Sequence, residues 1–231
     1  MIKLRDLQFA YAEGGFGLQI DTLSIAAGRR VCWVGPSGSG KTTLLHLVAG
    51  IVSPAAGRVE TCGVELSGLR DAARRDFRIA NVGLVFQDFA LLDYLSVLEN
   101  ILLPYRINRS LRLEESVRAR AHDLATAVGL NDMLQRRPAQ LSQGERQRVA
   151  VCRALIANPR LLLADEPTAN LDTLSAKRVL NALDDYATKQ GATLVVVSHD
   201  SEVLTRFDEV IDVSAFCAPA QPLLAGGGDH A

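Results

Sequence analysis

The chain has 231 residues, 48% of them hydrophobic, and a formal net charge of −1 at pH 7. This length and composition provide for a large core, and the lack of a basic excess argues against nucleic acid as a partner. No apolar run approaches the roughly 20 residues that span a bilayer, and residues 1–6 alternate like a strand instead of resembling a signal peptide. We therefore expect membrane contact only through a partner protein.

Residues 2–30 alternate between apolar and polar side chains on either side of a turn at Gly14 and Gly15. Successive side chains of a strand point to opposite faces, so this alternation is typical of strands with one buried face. The segment predicts an antiparallel β layer at the N-terminus.

A glycine-rich motif at 35–42 follows the apolar run 31–34 and precedes a helical pattern that ends at Gly50. It fits G-x-x-x-x-G-K-[ST], the P-loop, in which glycines let backbone N–H groups turn toward phosphates. Lys41 is expected to neutralise the β- and γ-phosphates, and Thr42 to offer a hydroxyl to Mg²⁺. The N-terminus of the helix that follows also favours an anion.

Four apolar stretches are separated by helical patterns and predict core strands near 31–34, 82–86, 161–165 and 193–198. Alternation of strands with helices favours a parallel sheet covered by helices. The sequence therefore predicts an α/β fold with a parallel sheet after the P-loop, beside the antiparallel β layer. This arrangement resembles a P-loop NTPase with a RecA-like parallel core.

Strand patterns disappear after residue 87 and return near residue 159, which predicts a helical subdomain inserted into the core. We expect a single domain over 1–217, with its core in 1–87 and 159–217 and the inserted subdomain in 88–158. Residues 218–231 are rich in Ala, Pro and Gly and predict a flexible tail.

Two helices of the inserted subdomain have recognisable ends. Ser96 and Glu99 fit the capping box at the start of one helix, which is expected to stop at Pro104. The other is expected over 112–128, closed by Gly129.

Asp165 and Glu166 directly follow the apolar stretch 161–164. Such a run is typical of a buried parallel strand, which disfavours the alternative of two solvated carboxylates in a loop. Because successive residues of a strand point to opposite sides, Asp165 can support Mg²⁺ while Glu166 polarises the water that attacks the γ-phosphate.

Residues 141–145 precede a helical stretch, 146–157, whose apolar side chains repeat every three or four positions. Ser142 and Glu145 fit a capping box, which leaves other N–H groups of the first turn free for an anion. An ordinary helix start has the same pattern. The P-loop and the carboxylates at the strand end favour the functional interpretation.

In this order, the motifs resemble those of the nucleotide-binding subunit of an ATP-binding cassette (ABC) transporter, from about Ile2 to about Val213. The resemblance implies ATP hydrolysis with Mg²⁺ and stacking of adenine on Tyr11. The ATP-binding residues that it implies are Tyr11, Gly35, Pro36, Ser37, Gly38, Ser39, Gly40, Lys41, Thr42 and Thr43.

The resemblance also implies roles for the other site residues. The implied catalytic residues are Glu166, the switch histidine His199 and the Q-loop glutamine Gln87, and the implied metal-binding residues are Thr42, Gln87 and Asp165. Asp172 belongs to the D-loop at 168–172. The implied signature residues, which cover the ATP of an opposing subunit, are Ser142, Gln143, Gly144 and Glu145.

The signature departs at two positions from the family pattern Leu-Ser-Gly-Gly-Gln. Gln143 replaces the first glycine, and its side chain would either add a hydrogen bond to the opposing nucleotide or slow closure. Glu145 replaces the glutamine but keeps the capping geometry. Lys41, Gln87 and His199 match the active pattern, so we expect an active ATPase.

The family's architecture implies a head-to-tail homodimer through the ATP sites and a transmembrane permease as partner. It places the protein in the cytoplasm, on the cytoplasmic face of the inner membrane. The stretches 86–89, 96–100, 138–142 and 167–172 are similar to the lipoprotein-release, macrolide-export and cell-division group, for which Asn170 is the most specific residue.

Two other functions stay open. A soluble cassette ATPase of DNA repair or translation is disfavoured by the single cassette and the net charge of −1. A regulatory scaffold would bind ATP with little turnover, and phosphate release with and without the membrane subunit distinguishes it.

The segment 88–95, which follows Gln87, is unusually apolar. It is expected to belong to the core of the helical subdomain, to a groove for a cytoplasmic helix of the permease, or to both. In a groove, it would connect the permease through Gln87 to Mg²⁺ and the γ-phosphate.

The four cysteines lie far apart, without the spacing of metal ligands. Three have apolar neighbours, which predicts reduced thiols in the cytoplasm for the set Cys32, Cys62, Cys152 and Cys217.

Overall fold

A computed structural model describes residues 1–11, 16–108, 110–169 and 171–218. The strands are β1 Ile2–Ala10, β2 Gly17–Ile25, β3 Arg30–Val34, β4 Ala56–Thr61, β5 Val64–Glu65, β6 Val82–Val85, β7 Leu161–Asp165, β8 Thr193–Val197, β9 Glu209–Asp212 and β10 Cys217–Ala218. The α-helices are α1 Lys41–Val48, α2 Asp71–Asn81, α3 Val97–Ile101, α4 Leu103–Ile107, α5 Glu115–Ala127, α6 Gln143–Leu155, α7 Thr173–Gln190 and α8 Ser201–Leu204. Short 3₁₀ helices cover Asn131–Met133, Pro138–Gln140 and Val213–Phe216.

One sheet is parallel, with the strand order β6-β7-β8-β3-β9. Every residue of β7 and β8 is buried, as expected for apolar strands that helices cover on both faces. This sheet confirms the predicted α/β class with a parallel core. The sequence reading missed β9, a largely exposed edge strand without an apolar run.

The second sheet is antiparallel, with the order β10-β2-β1-β4-β5. The pairing of Leu4 with Leu23 and of Phe9 with Leu18 confirms the predicted N-terminal antiparallel layer. The expected turn residues Gly14 and Gly15 lie outside the described residues. β4 and β10 come from later parts of the chain, and β4 begins with three exposed residues that hide its alternation.

The helix after the P-loop, α1, contacts strands of both sheets, β4 and β7. Its apolar residues Leu44, Leu45 and Val48 are fully buried in one cluster with Trp33 of β3. Because a close-packed core allows little movement, this packing fixes the start of α1 and the loop before it.

Residues 88–158, except for the undescribed 109, contain α3 to α6 and no strand. Val97, Val117 and Val149 belong to the separate apolar cluster that these helices share. The position of this cluster supports our proposal that 88–158 is an inserted subdomain.

Three helix ends differ from the sequence prediction. Pro104 does not end the helical structure; it lies in the first turn of α4, where proline is tolerated. The second helix begins at Glu115 instead of residue 112 because Glu114 is extended. α6 begins at Gln143 instead of residue 146, directly after its cap Ser142.

The four cysteines are free; Cys32, Cys62 and Cys152 are buried and Cys217 is exposed. Burial raises the pKa of Cys32 to about 11 and that of Cys152 to about 12. These two thiols are therefore protonated at neutral pH and unreactive. No helix in the described ranges is both long and apolar enough to cross a membrane.

Candidate active site

The P-loop and the ends of the neighbouring strands enclose a cleft of about 740 Å³, which we call the P-loop cleft. Most of the predicted site residues lie in it, at the carboxyl edge of the parallel sheet, where α/β proteins bind ligands. The lining residues are Tyr11, Phe16, Gly35, Pro36, Ser37, Gly38, Gly40, Lys41, Thr42, Thr43, Gln87, Asp165, Glu166, Ala169 and His199.

The P-loop has the backbone that only glycine adopts readily. Gly35, Gly38 and Gly40 have φ values of 143°, 80° and 85°. A Cβ on Gly40 would lie 2.3 Å from the ring of Phe16 and would have to displace it, and the φ of 85° already strains any residue with a side chain there. The Lys41 ammonium donates to the carbonyl oxygens of Gly35 and Pro36, each at 2.8 Å, which holds it at the loop.

Asp165 ends β7 within hydrogen-bond reach of α1. The Thr42 hydroxyl donates to its Oδ2 at 2.6 Å, and the Asp165 residue is only 7% exposed. No cation lies within ion-pair distance of this carboxylate among the described residues. A buried carboxylate without a counter-ion is costly, so the Thr42–Asp165 pair is suited to bind a cation.

Glu166 and His199 meet across the cleft, with Glu166 Oε1 and His199 Nδ1 2.9 Å apart. The Glu166 N–H donates to the Val197 carbonyl at 3.0 Å, which ties the end of β7 to the end of β8. Glu166 also has a φ of 46°, rare for a residue with a side chain. Such conformations cost about 1–3 kcal/mol and cluster at functional sites.

Tyr11 lies over the start of α1, with its residue 46% exposed. Its hydroxyl and that of Thr43 are 3.1 Å apart, and its ring contacts Phe9 edge-on at a centroid distance of 4.9 Å. Phe16 lies 6.4 Å away and also lines the cleft. Phe16 belongs to none of the motifs, and the sequence offers it only as the alternative to Tyr11 for the adenine platform.

The signature residues lie elsewhere. Ser142 Oγ accepts from the Glu145 N–H at 3.3 Å and Glu145 Oε2 from the Ser142 N–H at 2.7 Å, so the capping box is present. The Ser142 N–H also lowers the pKa of Glu145. Gly144 is buried where a Cβ would lie 2.7 Å from Ser175 Oγ, while Gln143 is exposed. Within the described ranges, none of these residues lines the P-loop cleft.

Two further predicted residues also lie outside the cleft lining. Ser39, within the P-loop itself, is buried. Asp172 caps α7 and accepts from the N–H groups of Leu174 and Ser175. Hydrogen bonding from the Ser175 hydroxyl, and then from its N–H, lowers the pKa of Asp172. Asn170 lies outside the described residues.

The profile of the ABC transporter family matches residues 18–169, the span from β2 to the strand-end carboxylates and beyond. The chain belongs to the ABC transporter family. This confirms the resemblance found in the sequence.

Curated relatives extend over most of the cassette. This chain is 40% identical over 215 residues to the lipoprotein-releasing system ATP-binding protein LolD of Nitrobacter winogradskyi, and the alignment covers 92% of each chain. It is 42% identical to LolD of Cereibacter sphaeroides, covering 93% of this chain and 97% of the relative. It is 41% identical to the macrolide export ATP-binding/permease protein MacB of Rhodopirellula baltica, covering 91% of this chain and 31% of the relative.

A solved structure of the ATP-binding cassette MJ0796, a dimer in a post-hydrolysis state bound to ADP and Pi, has the same fold. The TM-score is 0.84 at 32% identity, over 93% of this chain and 95% of that chain. The cassette is thus an ATP-binding subunit of an ABC transporter and an ATPase.

Proposed function

We propose that the cassette works as a head-to-tail homodimer that closes on two ATP molecules and drives a transmembrane permease. One observation carries the proposal. The P-loop cleft brings Lys41, Glu166 and His199 together, whereas no described residue of 142–145 lines it. The signature presents free N–H groups at the N-terminus of a helix but lies outside the P-loop cleft of the same copy. It is therefore suited to bind the phosphates of an ATP held by a second copy. MJ0796, which forms a dimer, supports a dimer of this cassette.

Each residue of the cleft has a proposed role in hydrolysis. Lys41 exchanges its two carbonyl acceptors for the β- and γ-phosphates, to which it makes charge-assisted hydrogen bonds. Glu166 orients the attacking water and accepts its proton, and His199 binds the γ-phosphate. Their present contact at 2.9 Å keeps both side chains at the reacting end of the cleft.

The donor atoms at the strand end fit Mg²⁺. Thr42 and Asp165 present a hydroxyl and a buried carboxylate 2.6 Å apart, and Gln87 adds an amide oxygen at the cleft wall. Mg²⁺ prefers such oxygen ligands and needs few of them from the protein. When bound, Mg²⁺ neutralises charge on the transferring phosphoryl group.

A surface groove of about 220 Å³ between β6, α4 and α6 provides a place for the permease. We call it the α4 groove; Phe86, Leu103, Ile107 and Arg153 are among its lining residues. Ile107 is 61% exposed, and Gln87 follows Phe86 directly. We propose that a cytoplasmic helix of the permease occupies this groove, so that its position affects Gln87.

The relatives support a lipoprotein-release or macrolide-export type of transporter. The match within MacB, an ATP-binding/permease protein, favours the permease as the occupant of the α4 groove. The cassette would then act at the cytoplasmic face of the membrane.

The test is the substitution Glu166→Gln. Loss of a general base costs about 10²–10⁴-fold in rate, so phosphate release should nearly stop while ATP still binds. The variant should elute with Mg²⁺ and ATP as a dimer that retains two ATP molecules, and Glu115→Gln, at an exposed residue of α5, serves as the control. Near-normal turnover, or a monomer that retains ATP, would contradict the proposal.

A further inference from the structure

Two consecutive residues just after Gln87 have an unusual backbone. Phe89 has a φ of 64° and Ala90 a φ of 47°, both in the left-handed region. Residues with a side chain rarely adopt this conformation, and it persists only where neighbouring groups hold it. Within the turn, the Phe89 N–H donates to the Phe86 carbonyl at 3.2 Å and the Ala90 N–H to the Asp88 carbonyl at 2.8 Å.

Arg153 of α6 binds both strained residues. Its two terminal nitrogens donate separately to the carbonyl oxygens of Phe89, at 2.6 Å, and of Ala90. Burial lowers the pKa of Arg153 to about 10, so its guanidinium is charged at neutral pH but largely removed from water. A planar fork of donors suits two adjacent carbonyls in a way that a lysine ammonium does not.

The same helix is fixed to the strand that leads into Gln87. A Cβ on Gly83 of β6 would lie 2.5 Å from the Ala154 carbonyl of α6, so only glycine fits between the two backbones. α6 begins at the signature and reaches Arg153 near its other end. It therefore connects the segment proposed to cover the opposing ATP with the residues that follow Gln87.

The strained turn lies between two functional surfaces. Gln87 lines the P-loop cleft, while Ala90 and Arg153 line the α4 groove. A change in the groove that moved the Arg153 guanidinium would remove the hydrogen bonds that hold the left-handed backbone. Gln87, three residues before Ala90, would then lose its orientation.

We propose that Arg153 is a positioning residue for ATP hydrolysis, which holds Phe89 and Ala90 in the left-handed conformation and thereby fixes Gln87 in the P-loop cleft. The inference rests on the proposed function for the role of Gln87. It adds the residue through which the signature helix and the permease groove act on that glutamine.

The principal test is Arg153→Lys, which keeps the positive charge but loses the planar pair of N–H donors that reaches both carbonyl oxygens. Amide hydrogen exchange in the peptide 86–92 should accelerate by about tenfold, because charge-assisted hydrogen bonds to the turn are lost. Turnover with Mg²⁺ and ATP should fall about 10- to 100-fold, as expected for a misplaced group at the reacting centre. ATP affinity in EDTA should stay within about twofold, because Arg153 lies outside the P-loop cleft.

A second substitution tests whether the loss of turnover comes from the left-handed backbone at Ala90. Ala90→Gly in the Arg153→Lys background should restore much of the turnover, since glycine adopts positive φ without a side-chain penalty. The matched control is Arg120→Lys, which affects a half-buried arginine of α5 that donates to the Tyr105 hydroxyl at 2.8 Å. It should change neither turnover nor exchange in 86–92.

Ala90→Pro gives an independent answer should Arg153→Lys fail to fold. Proline fixes φ near about −65° and removes the left-handed conformation while Arg153 is kept, so turnover should fall similarly. Normal turnover in either variant, or no recovery with Ala90→Gly, overturns the inference. A Gln87→Ala variant separates the two proposals. If its turnover is normal, the proposed role of Gln87 fails. If its turnover is slow while that of Arg153→Lys is normal, only the proposed role of Arg153 fails.

Discussion

The polar side chains of the P-loop cleft are held by one another. Thr42 donates to Asp165, Glu166 meets His199, and Lys41 donates to two loop carbonyls. These contacts satisfy groups that would otherwise be costly to leave unpaired in a partly buried cleft. We therefore expect ATP to bind in this cleft mainly through an exchange of hydrogen-bond partners, with little rearrangement of the backbone.

The two ends of the nucleotide should depend differently on single residues. Lys41→Ala should lower ATP affinity ten- to a hundredfold or more, because each charge-assisted contact is worth roughly 1.5–3 kcal/mol. Tyr11→Ala should lower nucleotide affinity about tenfold or less and affect ATP and GTP alike, because stacking contacts only the face of the base and does not distinguish its edge groups. Equilibrium binding of both nucleotides measures the difference.

Lys3→Ala is the control for these substitutions, since Lys3 pairs with Glu60 on the surface of the antiparallel sheet. If Tyr11→Ala binds ATP normally, the adenine platform is another residue, and Phe16 is the first candidate because it lines the same cleft.

At the scale of the elements, the sequence predicted what local patterns encode. β7 and β8 are continuous apolar runs, and the Ser142–Glu145 box marks the start of α6. β9 was missed because an exposed edge strand needs no apolar run. Pro104 was misread because a proline suits the first turn of a new helix as well as the end of an old one.

The residues of the candidate site also differ in whether a local sequence pattern could predict them. Spacing alone indicated Lys41, Thr42 and the carboxylates at the end of β7, because a motif and a strand end are local features. His199 lies 33 residues after Glu166, and only the fold or the family resemblance brings the two together. The hydrogen bonds of Arg153 to a turn 63 and 64 residues earlier had no sequence signal.

The α4 groove leads to a prediction about membrane association. Ile107→Asp places a charge in an apolar groove, so it should prevent docking of a permease helix, whereas the 61% exposure of Ile107 leaves folding intact. In cells that contain the permease, the variant should move from the membrane fraction to the soluble fraction. Its ATP binding as an isolated protein should be unchanged.

Val64→Asp is the matched control, because Val64 is a partly exposed apolar residue of β5, in the antiparallel sheet. It should remain with the membrane fraction. An Ile107→Asp protein that also remained there would exclude the α4 groove as the docking site.

At the scale of the whole molecule, we propose that one copy provides two separate parts of an ATP site. The P-loop cleft contains Lys41, and the α6 N-terminus contains Ser142, which does not line that cleft. In a head-to-tail dimer, each ATP would contact the P-loop of one copy and the signature of the other. Ser142→Arg should therefore leave ATP binding by a single copy intact but prevent closure, because bulk and charge intrude at a tight interface.

Mixed dimers test this arrangement directly. When Ser142→Arg copies are combined with Lys41→Ala copies in a Glu166→Gln background, both lesions fall in one composite site of the mixed dimer, and the other site is intact. Neither variant alone should retain ATP as a dimer on gel filtration, whereas the mixture should retain one ATP per mixed dimer. A mixture that retained none would show that Ser142 acts on the nucleotide of its own copy, which would contradict the head-to-tail arrangement.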